Sequence, residues 1–128
     1  HTERAEQIIV AMMKDELLYD QAVNIPNQGY IDGLPQGAIV EVPALITKAG
    51  IQGKAVGALP EAAAIWVRRE IEQAEMAVKA AVIGDQKLML QALLICPMVD
   101  DIPMAKAMLN EYMEANRKYL PAFFKKGE

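Results

Sequence analysis

Two carboxamides, Asn24 and Asn27, stand close on either side of Pro26. Proline fixes its own φ, so both amides are held near one rigid corner. Each amide offers donors and an acceptor, which suits the hydroxyls of a sugar and suits neighbouring backbone equally well. Gly29, Gly33 and Gly37 then recur at every fourth position. That is not the Gly-x-Gly-x-x-Gly spacing of dinucleotide sites, and no strand–turn–helix unit surrounds it. Tight turns are the simpler account. Glu41 is the single charge in the apolar run from Ala38 to Val42. Buried there, it would need a partner or a raised pKa; facing outward from an edge, it needs neither.

Other chemistries are excluded by residue type. Serine is absent, and His1 is the only histidine, so a Ser/His/Asp relay cannot be assembled. Cys96 is the only cysteine. It allows no internal disulfide and no zinc pattern, and its Leu-Ile-Cys-Pro-Met setting reads as a buried structural thiol. Asp100 and Asp101 precede a helical run, where a cap explains them better than a cation does. Arg68 and Arg69 are neighbours on a helix, so they point about 100° apart and cannot both face one site. A solvated face or a subunit contact accounts for them. The methionines, Met12, Met13, Met76, Met104 and Met108 among them, fall at the spacing of helix packing positions.

The stretch from Asn24 to Pro43 must be positioned by what flanks it. It carries three of seven prolines and three of eight glycines, and it is the least helical part of the chain. Ahead of it, Thr2 can cap a helix whose buried face is Ala5, Ile8, Ile9, Met12 and Met13, ending near Asp15. Asp20 to Ile25 alternates as a short strand. Ala38 to Val42 is the best strand in the chain, with Pro43 ending it or placing it at an edge. Ala44 to Thr47 can continue after that break, and Ile51 to Val56 can return as a hairpin partner.

Helices follow. Pro60 opens a run without breakers from Glu61 to Ile83, and Gly84 suits its left-handed end. Val67, Ile71, Ala74, Val78 and Ala81 form one stripe, widened by Ala63, Trp66, Ala77 and Val82. Asp85 caps a helix from about Gln86 to Ile95. Asp100 or Asp101 caps another, with Met104, Ala107, Met108, Tyr112 and Met113 as its apolar face. Tyr119 to Phe124 leaves that helix and packs over it, and Lys125 to Glu128 frays. The fold class is α+β, helix-dominated, in a single domain over residues 1–128.

Composition agrees. The apolar fraction is 53%, the charged fraction 23% and the net charge −4. No basic stripe points to nucleic acid. No apolar run approaches the roughly 20 residues that span a bilayer, so no membrane partner is expected. The lone cysteine fits a cytoplasmic setting. The first residue is His1 rather than Met, which suggests a processed, truncated or excised piece.

In order, these residues resemble something specific. Asn24-Ile-Pro-Asn-x-Gly-x-Ile-x-x-Leu-Pro followed by Val40-Glu-Val-Pro is similar to the C-terminal region of glycoside hydrolase family 4. Gly57-x-Leu-Pro, Gly84-Asp85, Leu90-Gln-Ala-Leu-Leu and Tyr119-Leu-Pro extend the likeness over about residues 2 to 124. The resemblance implies the distal part of a domain like the C-terminal domain of lactate and malate dehydrogenases. It implies a parent enzyme that uses NAD and manganese to hydrolyse O-glycosyl bonds. The route is redox elimination: hydride removal at C3 of the sugar, proton abstraction at C2, loss of the leaving group, then reversal with water.

This chain lacks the family's N-terminal dinucleotide-binding domain and its Cys and His metal ligands; Cys96 and His1 do not match those positions. The resemblance therefore implies a substrate-domain fragment, inactive alone, holding no catalytic, cofactor or metal residue. Its partners would be the missing N-terminal domain, a sugar substrate and further copies in a homo-oligomer. By the same resemblance Asn24, Asn27, Gly29 and Arg4 are the substrate-binding candidates. A non-catalytic helical protein-interaction module is the alternative.

Overall fold

A computed structural model describes residues 4–124. The chain forms two compact units, residues 1–64 and 65–128. The helix-dominated α+β class expected from the sequence is what is observed.

The first unit opens with α1, Ala5–Lys14. Asp15 ends it in the left-handed region at φ 59°, its N–H donating to the Ala11 carbonyl. Aspartate is among the few residues that tolerate this conformation. The expected Thr2 cap lies outside the described residues; Arg4 occupies the N-cap without a side-chain bond. The inward positions of α1 are Ile8, Ala11 and Met12, while Ile9 and Met13 are exposed. The helix is apolar on two sides, so spacing alone could not say which side is covered.

Strands β1 (Leu18–Pro26), β3 (Ile39–Thr47) and β4 (Gly50–Gly53) form an antiparallel sheet in the order β1-β3-β4. Two short strands, β2 (Ile31–Asp32) and β5 (Gly57–Ala58), pair in parallel beside it in sequence. Val23, Ile25, Val40, Val42, Ala44 and Ile46 are buried on one face of the larger sheet, where α1 approaches β3. Asn24, Glu41 and Ile39 alternate to the other face.

Pro43 does not end β3, as the sequence led us to expect; the strand runs through it and is central. The sheet accommodates the proline on both sides. On β1, Gln21 and Ala22 lie between the register points Asp20↔Ala44 and Val23↔Val42, which only Pro43 separates on β3. This is a β-bulge. On the other side the β4 ladder stops at Gly53↔Ala44, one residue short of the missing proline N–H. The Pro43 carbonyl still accepts from Lys54 N–H at 2.7 Å.

The second unit is helical. The helix α2, Glu61–Ile83, begins at the end of the first unit and runs into the second, where α3 (Gln86–Ile95), α4 (Ile102–Ala115), a 3₁₀ turn (Arg117–Tyr119) and α5 (Pro121–Phe124) follow. Gly84 takes φ 73° after α2. The Asp85 carboxylate accepts from the N–H of Lys87 at 2.8 Å and of Leu88 at 3.0 Å. Asp101, not Asp100, caps α4, accepting from Met104 N–H at 2.7 Å.

The faces differ from expectation. Ala80 is buried on α2, whereas Val78 and Val82 of the expected stripe are exposed, Val82 at 76%. On α4 the buried residues are Ala105 and Met113, and Met104 and Tyr112 face out. Phe123 is buried after the 3₁₀ turn, and Gln86 donates to its carbonyl at 3.0 Å. The segment after α4 therefore packs back at the start of α3, not shown to lie over α4 as the sequence led us to expect. The expected fraying of residues 125–128 lies outside the described residues.

Candidate functional site

The loop between β1 and β3 is built around Asn27. Its backbone N–H donates to Ala38 O at 2.7 Å and its carbonyl accepts from Gly37 N–H at 2.9 Å, which closes the loop at its base. Its side chain fills the interior. Oδ1 accepts from the N–H of Tyr30 at 2.9 Å and of Ile31 at 3.1 Å. Nδ2 donates to the carbonyls of Ile31 at 3.1 Å and Leu34 at 3.2 Å. Only asparagine or glutamine offers donor and acceptor together in this way, and only the shorter chain reaches neighbouring backbone so tightly. Ile31 and Leu34 are buried around it.

Asn27 is 1% exposed. The sequence points to an amide that could meet a sugar; the structure shows one already saturated by the loop. Its burial leaves direct contact to its neighbours, and its own role is to fix their shape. Gly29 sits on the loop surface at φ 88°, with no atom within 4 Å of where a Cβ would be. Its backbone is open to approach.

Asn24 is exposed on β1, directly opposite Glu41 on β3. Glu41 is thus an outward-facing residue of a central strand. Arg4 stands elsewhere: its guanidinium is 3.6 Å from Asp20 Oδ2. Asp20 is buried and pairs in register with the buried Ala44, so it belongs to the inner face. The four candidates therefore do not converge on one point. Asn24, Asn27 and Gly29 share the β1 end and its loop, and Arg4 serves the opposite face of the sheet.

Sequence reasoning missed Asp20, a buried carboxylate that also accepts from Ala22 N–H at 3.2 Å inside the bulge. A charge opening an apolar strand was the available signal. It gave Arg69 a solvated face or a subunit contact, whereas its Nε donates to the Ile95 carbonyl at 2.6 Å and its guanidinium lies 5.3 Å from the Trp66 ring centre. That arginine closes a carbonyl at the end of α3, which is a structural use. Among the described residues, no group of three or more His, Cys, Asp or Glu side chains is placed to hold a metal. Cys96 is half-buried, its N–H donating to the Leu93 carbonyl at the end of α3. These residues do not fit a manganese centre. No helix among the described residues is long and apolar enough to cross a membrane.

The sequence profile of the family 4 glycosyl hydrolase C-terminal domain matches residues 1–99. The chain belongs to glycoside hydrolase family 4. A Bacillus subtilis protein described as a probable 6-phospho-β-glucosidase is 40% identical over 108 residues, covering 84% of this chain and 24% of that protein. An α-galacturonidase of Thermoanaerobacterium saccharolyticum is 35% identical over 99 residues, 77% of this chain and 21% of its own length. Among solved structures, the Thermotoga maritima 6-phospho-β-glucosidase with manganese, NAD⁺ and glucose-6-phosphate superposes with a TM-score of 0.83 at 28% identity. It covers 91% of this chain and 28% of that one. This family 4 chain thus spans about a quarter of the length of the relatives it matches.

Proposed function

We propose that this chain is the substrate-side, C-terminal domain of a cytoplasmic glycosidase that hydrolyses O-glycosyl bonds by NAD-dependent redox elimination. The family match over residues 1–99 carries the reading. NAD and manganese are then held by the dinucleotide-binding part of the polypeptide, and the domain on its own is inactive. Its contribution is a shaped surface. Asn24 and the open backbone at Gly29 meet the sugar, and Asn27 holds the loop that presents them. Arg4 contributes by its pairing with Asp20 and by a guanidinium that is half exposed. Homo-oligomerisation belongs to the same reading, and the exposed Val78 and Val82 on α2 offer it a surface.

The test is a chimaera in which this chain replaces the matched C-terminal part of the Bacillus subtilis relative. It is assayed on aryl glucosides, their 6-phosphates, galactosides and uronides, with and without NAD and manganese. Cleavage that needs both additions, and that falls on Asn24→Ala, supports the proposal. Cleavage by the 128-residue chain alone overturns it.

A further inference from the structure

We propose that the outer face of the β1-β3-β4 sheet carries a binding site for a small carbohydrate with an anionic substituent, built by Tyr19, Leu45, Gln52 and Lys54. It shares a sheet face with Asn24 but lies at the opposite end of β1.

Strand register brings these residues together. Tyr19 on β1 stands opposite Leu45 on β3, and Leu45 stands opposite Gln52 on β4. Asp20, Ala44 and Ile46, which flank this row, are buried on the inner face, so Tyr19 and Leu45 take the outer one, at 49% and 44% exposure. A Cβ at Gly53 would meet the buried Ile25, which turns Gln52 outward as well. Lys54 extends the ladder one residue past β4 through its N–H bond to the Pro43 carbonyl, and alternation returns it to the side of Gln52. Tyr19 and Gln52 are two strand spacings apart, about 10 Å, with Leu45 between them. The cavity that these four residues line, together with Ala44 and Gly53, has a volume of about 400 Å³. That is the size of a small-molecule site.

The lining sets the ligand. Leu45 and the Tyr19 ring form an apolar surface, while the polar ends around it are unused. The Tyr19 hydroxyl, the Gln52 amide and the Lys54 ammonium make no hydrogen bond or ion pair among the described residues. A purely apolar ligand would strip water from the amide and the ammonium and give nothing back. A bare inorganic anion would use Lys54 and leave the tyrosine and the leucine idle. A pyranose ring meets all four side chains. Its C–H face lies on the tyrosine ring and the leucine. Its hydroxyls exchange hydrogen bonds with an amide that both donates and accepts. A phosphate or carboxylate on the sugar answers Lys54, the charged residue of the lining.

NMR titration of the isotope-labelled 128-residue chain tests this, with glucose-6-phosphate, glucuronic acid, glucose, inorganic phosphate and AMP as probes. At least one anionic sugar should shift the amides of Tyr19, Leu45, Gln52 and Lys54, and should bind about tenfold or more tightly than glucose or phosphate. The stronger of the two sugars names the substituent as phosphate or carboxylate. Lys54→Met should remove the advantage of the anionic sugar over glucose, and Tyr19→Thr should weaken both. Lys54→Met decides alone where Tyr19→Thr fails to fold. Phosphate binding as tightly as the anionic sugars reduces the site to an ion contact and overturns the proposal, and tighter binding of AMP overturns it in favour of a nucleotide. Anionic-sugar binding that Lys54→Met leaves unchanged also overturns it. So do shifts of the same amides that appear without ligand as the protein concentration rises, since a second copy would then cover this face. The titration needs neither NAD, manganese nor turnover, so its failure and the failure of the proposed function are separate results.

Discussion

Asn27 grips Ile31 by both edges of its backbone: Oδ1 accepts its N–H and Nδ2 donates to its carbonyl, each at 3.1 Å. The amide thus does for the loop what a ladder does for a strand. Asn27→Asp keeps the acceptor and replaces the donor by an oxygen facing the Ile31 and Leu34 carbonyls. We expect a loss of about 2–4 kcal/mol at pH 7, read by urea unfolding. The introduced carboxyl, buried against carbonyl oxygens, takes a folded pKa above its unfolded one. Its stabilising protonated form is fully present below the unfolded pKa and is lost as pH rises through the folded one. The variant should therefore regain stability on acidification relative to the parent chain. A pH-independent difference between the two would show that the amide donor is not what the loop needs.

Gly84 and Gly29 both hold positive φ, at 73° and 88°, but only one is crowded. A Cβ at Gly84 would run into the Ala122 carbonyl and sit 3.1 Å from Phe123 N, whereas nothing lies within 4 Å at Gly29. Gly29→Ala carries the left-handed backbone cost alone, about 1 kcal/mol. Gly84→Ala adds a backbone displacement and should cost about 2–4 kcal/mol. The order of the two, measured by thermal unfolding, is the test; equal losses would mean that α5 is not seated on the start of α3.

Helix boundaries were legible where they rest on local chemistry, whereas β3 runs on past the end expected at Pro43. Pro60, Gly84 and Asp85 delimit α2 and start α3 where the structure has them. Buried faces were not legible on α1, α2 and α4. Periodicity reports which residues share a side, and Val78 and Val82 do share one with Ile71; it cannot report that, among the described residues, Val78 and Val82 are exposed on it. The site shows the same division. A loop of unusual backbone was visible between Asn24 and Pro43, since glycine and proline act locally. Which way each amide points depends on the register of β1 with β3 and on a bulge opposite Pro43, both set by long-range pairing. Asn24 and Asn27 looked alike beside Pro26, and one faces water while the other is enclosed.

Arg4 and Asp20 form an unequal pair. The carboxylate is buried and the guanidinium half exposed, at a separation of 3.6 Å. Arg4→Ala removes a partly screened attraction, and the loss should stay near or below about 1 kcal/mol. Asp20→Ala also strips the Ala22 N–H of its acceptor inside the bulge, and should cost more, about 1–3 kcal/mol. Asp20→Asn keeps an acceptor for that N–H and should fall between the other two variants. Chemical denaturation of the three checks the ranking; a larger loss from Arg4→Ala would place the weight of the contact on charge rather than on the bulge.

Glu114 and Arg117 offer the one pH response that an exposed pair makes visible. Arg117 Nε donates to Glu114 Oε2 at 2.9 Å, and its guanidinium lies 3.9 Å from the centre of the Phe124 ring. The hydrogen bond from Arg117 lowers the Glu114 pKa below its ordinary value. A carboxylate with a depressed folded pKa stabilises the fold above its unfolded pKa, and the contribution fades as pH falls through the folded value. Acid should therefore loosen the link between the end of α4 and α5 before it affects the Asn27 loop, where no ion pair is involved. Carboxyl NMR titration gives the check. The Glu114 midpoint should rise to the ordinary carboxylate range in Arg117→Met, and should also rise in the parent chain at about 1 M salt, where exposed charges are screened. A midpoint that salt raises but Arg117→Met leaves low would assign the shift to the surrounding field rather than to this contact.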